Sequence, residues 1–69
     1  MYGVVNQLLK NIGLEVHYTV FEKEKIDYNA FLLLNNNDLQ DMKIPIGDRK
    51  KIHAEIERIK KASITGKKL

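Results

Sequence analysis

The segment Gly47-Asp48-Arg49-Lys50-Lys51-Ile52-His53-Ala54-Glu55-Ile56-Glu57-Arg58-Ile59 decides the fold. Ile52, Ile56 and Ile59 recur at i, i+4 and i+7, which lines them up on one face of an α-helix, and Lys50, Lys51, Glu55, Glu57 and Arg58 fill the other faces. The spacing predicts one long amphipathic helix from about Gly47 to Lys61 or Ala62. An apolar stripe of this kind must be covered, so the rest of the chain has to supply the elements that pack on it.

Upstream, Pro45 disfavours helical backbone at Ile44 and is expected to end the fourth helix, the one before the long helix. Asn35 with Asp38 three residues later has the spacing of a capping box, and Leu39 and Met42 form an i, i+3 apolar pair, which predicts a short fourth helix. Asp27 or Asn29 can cap another short helix over Ala30 to Leu34, read as a wholly buried segment. Val16, His17, Val20 and Phe21 fit a second helical stripe that ends in the solvated run Glu22-Lys23-Glu24-Lys25. Val5, Leu8, Leu9 and Ile12 at i, i+3, i+4 and i+7 predict a first helix from about Val4 to Ile12, with Gly13 suited to a positive-φ helix end. The expected fold is all-α: a compact five-helix bundle of four short helices and a long C-terminal one. Helices under about 12 residues are marginal in water, so the short ones depend on packing against the long one.

The 69 residues allow one domain. We place it at residues 1–62, with 63–69 a flexible basic tail or the start of a linker. The chain has no cysteine, which removes disulfides, thiolate metal sites and a cysteine nucleophile, and its two histidines are isolated. No cofactor or metal is expected. The longest apolar run, Phe31 to Leu34, is far shorter than the roughly 20 residues of a membrane span, and no signal peptide is visible. The setting expected from this is intracellular, cytoplasmic or nuclear.

A net charge of +3 conceals a polarity. Residues 1–42 carry three lysines against six carboxylates, a net −3, whereas residues 43–69 carry nine cations against three carboxylates, a net +6. Five of the acids, Glu22, Glu24, Asp27, Asp38 and Asp41, fall in the central turns and short helices. Lys43, Arg49, Lys50 and Lys51 cluster around the start of the last helix, where cations oppose the helix dipole and only Asp48 complements it. Solvated faces also carry charges, and a chain that is 30% charged has them in any case.

These blocks, in this order, resemble the SAM (sterile alpha motif) domain family over Val5 to Ile59. The resemblance rests on Val5-x-x-Leu8-Leu9-x-x-Ile12-Gly13-Leu14-Glu15, Phe21, Ile26-Asp27, Ala30 to Leu34 with Asp38-Leu39, and Gly47-x-Arg49-x-Lys51-Ile52 continuing to Ile59. Leu8 stands where many members have Trp, His17 where Tyr is common, Tyr28 where Gly often follows the Asp, and Lys43 where Gly usually precedes the Ile.

The resemblance implies a non-enzymatic module that binds another SAM domain, self or heterotypic, head-to-tail. An acidic mid-loop surface of Glu22, Glu24, Asp27, Asp38 and Asp41 would meet an end-helix surface of Lys43, Ile46, Gly47, Asp48, Arg49, Lys50, Lys51 and His53. Ile46 is the expected apolar anchor. The alternative is RNA-hairpin binding through the basic surface, weakened by the absence of an aromatic stacking platform among the basic residues and by Asp48 within the cluster. Catalysis finds no support: Ser63, Thr19 and Thr65 lack a nucleophile motif, His17 reads as a packed or partly exposed histidine, and Asp38 with Asp41 has no companion pair.

Overall fold

The computed structural model describes the backbone of residues 2–68 and the side chains of residues 2–62. Five helices follow one another: α1 (Gly3–Asn11), α2 (Tyr18–Lys23), α3 (Tyr28–Leu32), α4 (Asn36–Asp41) and α5 (Ile46–Lys68), with a 3-10 turn (Glu15–His17) leading into α2. No strand occurs among the described residues. The all-α five-helix expectation holds.

One core joins the elements. Val5 and Leu9 from α1, Leu14, Phe21 from α2, Phe31 from α3, Leu39 from α4, Ile44, and Ile52 and Ile56 from α5 are buried together. Phe21 and Phe31 meet with tilted rings, centroids 6.2 Å apart. Ile59, the third residue of the stripe, is half-buried at the margin with Leu8, Ile12 and Met42. Each short helix contributes one or two fully covered side chains, which is why none would hold without the others.

α1, α2 and α4 end in the same way. Gly13, Lys25 and Lys43 adopt left-handed φ of 76°, 58° and 65°. After each, the next residue's N–H bonds back five positions: Leu14 to the Leu9 carbonyl, Ile26 to Phe21 and Ile44 to Leu39, at 2.8, 2.9 and 3.0 Å. This is the Schellman arrangement, and in each case it returns an apolar residue beside a buried one. The starts of α3 and α4 are capped as expected. The Ala30 N–H donates to Asp27 Oδ1 at 2.9 Å, and Asn35 and Asp38 form a reciprocal capping box at 2.8 and 3.2 Å.

Four expectations are corrected. Val16 is 79% exposed and not part of an apolar stripe, because residues 15–17 form a 3-10 turn whose three-residue period breaks the helical register; Leu14 takes the core position. Leu33 is 77% exposed, and Leu32 and Leu34 are half-buried, so Ala30 to Leu34 is not wholly buried: α3 stops at Leu32 and its C-cap residue, Leu33, turns outward. Lys43, and not Pro45, terminates α4; the Pro45 carbonyl instead accepts from the Arg49 N–H at 2.9 Å and opens α5. Finally, α5 continues to Lys68 rather than ending near Lys61 or Ala62, since no proline follows and Lys60, Lys61 and Ala62 are good helix formers. The tail expected over 63–69 falls beyond the residues whose side chains are described.

Candidate interaction surfaces

α2, α3 and α4 enclose an open groove of about 410 Å³. Ile26, Ala30, Leu33, Leu34 and Met42 form its apolar lining, and Glu24, Asp38 and Asp41 supply carboxylates to it. The Lys25 turn ends α2 and the Asn35 cap starts α4, and these two backbone devices bring residues 24 and 41 to one depression. Of the five expected acids, the structure gathers these three around the groove and not Glu22 or Asp27.

Several of the acids have duties within the fold. Glu22 Oε2 accepts from Asn6 Nδ2 at 3.1 Å, Asp27 caps α3 and Asp38 belongs to the α4 capping box. Among the described residues Glu24 and Asp41 make no side-chain hydrogen bond or ion pair. They are the carboxylates with most freedom to meet a partner. Leu33 was missed as a surface residue because a leucine inside the run Phe31 to Leu34 carries no sequence mark of exposure; only the end of α3 at Leu32 reveals it.

The start of α5 forms the second surface. Ile46 is 63% exposed, Gly47, Lys43, Lys50 and Lys51 are exposed, and Asp48, Arg49 and His53 are half-buried. Arg49 differs from the lysines, because its Nη1 donates to the Ile44 carbonyl at 2.9 Å and draws the guanidinium back against the α4–α5 joint. Among the described residues Lys43, Lys50 and Lys51 form no ion pair. Asp48 pairs instead with His17, whose Nε2 lies 2.8 Å from Asp48 Oδ2 across 31 positions of sequence. An ionised carboxylate can only accept, so His17 carries its proton on Nε2. No local signal predicts that contact.

A second polar contact had a readable signal. Buried Glu55 accepts twice from Arg58, from Nε at 3.0 Å and Nη2 at 2.7 Å. The i, i+3 spacing of an acid and an arginine on one helix anticipates it. These hydrogen bonds, helped by the guanidinium charge and opposed by burial, hold the Glu55 carboxyl below its usual range, and the Arg58 pKa is raised by the same bonds.

Among the described residues no group of three His, Asp or Glu side chains is placed to hold a metal ion, and no helix is long and apolar enough to cross a membrane. The described residues form a five-helix bundle with carboxylates around one groove and lysines about the start of the terminal helix. The chain belongs to the SAM domain (sterile alpha motif) family, whose sequence profile it matches over residues 2–60. That family is a non-catalytic module, generally of protein–protein interaction.

Among its relatives, the mouse (Mus musculus) triacylglycerol hydrolase DDHD2 is 54% identical over 44 residues, 64% of this chain and 6% of that protein. Human (Homo sapiens) SEC23-interacting protein is 38% identical over 63 residues, 86% of this chain and 6% of that protein. Mouse ankyrin repeat and SAM domain-containing protein 6 is 38% identical over 53 residues, 75% of this chain and again 6% of the relative. No solved structure matches the chain.

Proposed function

We propose that this domain associates head-to-tail with a second SAM domain, a further copy of itself or one carried by another protein. The acidic groove of one domain would receive the start of α5 of the next. The observation that carries the reading is the pairing of opposites on one small molecule. A groove with an apolar lining and carboxylates is matched by an exposed Ile46 near lysines that form no ion pair among the described residues.

Ile46 and Leu33 are each mostly exposed and large enough to anchor a desolvated centre. Glu24 and Asp41 against Lys43, Lys50 and Lys51 would steer encounter and fix register more than add raw affinity. Because the two faces differ, the contact is heterologous and propagates into a ring or an open helical filament. The domain spans only 6% of the relatives above, and we infer that it serves as the assembly module of a longer protein. RNA binding gains no comparable support, since the residues of the basic end include no Phe, Tyr or Trp on which a base could stack.

Sedimentation velocity across concentration tests self-association. Asp41→Lys spoils the groove without touching the α4 cap, and Lys50→Glu spoils the basic end. Each variant alone should stay monomeric while an equimolar mixture forms a dimer that grows no further. A wild-type chain that remains monomeric at millimolar concentration, or variants that assemble like wild type, would sink the self-associating form of the proposal.

A further inference from the structure

Asp48 is a carboxylate within an end otherwise made of cations. Lys43, Arg49, Lys50 and Lys51 all lie within five residues of it in sequence. A carboxylate so placed would be expected to form ion pairs with the neighbouring lysines, or to confront an incoming acidic partner directly. Neither neighbouring lysine holds it. His17, at the end of the 3-10 turn, takes Asp48 Oδ2 at 2.8 Å, with the histidine side chain 13% and the aspartate side chain 26% exposed. His17 is therefore packed into the fold and fixed, whereas the lysines it spares are on the surface.

This bond is also the side-chain hydrogen bond that ties the first seventeen residues to α5 among the described residues. It orients the carboxylate toward the 3-10 turn through Oδ2, and among the described residues neither Lys50 nor Lys51 pairs with the remaining Oδ1. We propose that His17 is a positioning residue of the basic end: by holding Asp48, it keeps Lys43, Lys50 and Lys51 available for the acidic groove of a second SAM domain. The inference rests on the head-to-tail reading and adds to it a residue on the far side of the sequence, outside both charged clusters.

The test uses two complementary forms of this chain. Lys50→Glu, with an intact groove, is the fixed probe; Asp41→Lys, with an intact basic end, is the titrated partner and carries the His17 changes. His17→Phe fills the site but cannot donate, so Asp48 is released toward the lysines and the heterodimer should weaken by about two- to five-fold, the scale of a partly exposed charge pair. His17→Gln, which retains a side-chain N–H donor, should bind like the parent. The decisive variant is His17→Phe with Asp48→Asn. Removing the released charge should return binding to the parent level or tighter, even though the hydrogen bond is still missing and thermal stability stays lowered.

If His17 mattered only to folding, Asp48→Asn would tighten binding by the same factor whether residue 17 is His or Phe, and that additivity overturns the inference. So does a His17→Phe partner that binds as well as the parent. Absence of any heterodimer with His17 intact is a different failure: it overturns the self-associating form of the head-to-tail reading and takes this inference with it. Circular dichroism of each variant reports whether the helices persist, and His17→Gln keeps the comparison valid should His17→Phe unfold.

Discussion

The two proposed faces are built by different means. The groove is a product of packing: Ile26 before α3 and Leu34 after it line one depression with residues of α4, and Leu33 faces outward where α3 ends one residue before it. The basic end is a product of sequence, since Lys43 to Lys51 lie within nine positions that cover the turn ending α4 and the start of α5. A groove of this kind is therefore sensitive to the core beneath it, whereas the basic end should tolerate changes in its lysines with little effect on folding. The conformational exception is Lys43, held at φ 65° where Gly13 ends α1 with the same hydrogen bonds.

The largest effect that can break this contrast lies under the groove. Leu39 is fully buried and Leu33 is 77% exposed, yet both are leucines of the same region. Leu39→Ala should cost about 2–5 kcal/mol of unfolding free energy in urea titrations, and Leu33→Ala no more than about 0.5 kcal/mol while weakening association. Equal stability losses would mean that the groove lining is core after all. Next in size, Asp38→Ala should lose roughly 1 kcal/mol with the capping box, whereas Asp41→Ala should be silent in stability and felt only in binding.

Lys43→Gly sharpens the comparison from the other side. Relief of left-handed backbone should raise stability by roughly 0.5–1 kcal/mol, a few degrees in melting temperature, while removal of the ammonium weakens capture of an acidic partner. Lys25→Gly, at the end of α2, should share the gain in stability and leave the basic end's binding unchanged. The smallest effect concerns pH. Glu55 has a folded-state pKa below its unfolded value, so its contribution is complete above the ordinary carboxylate range and is lost as pH falls through the lowered value. Glu55→Gln should flatten that part of the acid limb of stability and leave neutral-pH association unaltered.

Helical periodicity in the sequence was enough to locate α1 and α5, and the spacing of Asn35 and Asp38 was enough to locate the cap of α4, whereas the α3 cap stood between Asp27 and Asn29 and only the structure assigns it to Asp27. The apolar run Phe31 to Leu34 was less readable, because periodicity over so few residues cannot say which of three leucines faces out. Val16 misled for a related reason: a 3-10 turn changes the period, and nothing in Glu15-Val16-His17 announces one.

The sequence by itself determined the family, the five-helix order, the stripe Ile52, Ile56 and Ile59, and the split of charge at the boundary before α5, all of them local or compositional patterns. Tertiary structure alone decided that Glu24, Asp38 and Asp41 share a groove, that Leu33 is exposed in it, and that Asp48 answers to His17 rather than to its neighbouring lysines. Periodic patterns are read within one element. Contacts across 31 residues are set only when the core fixes how those elements approach one another.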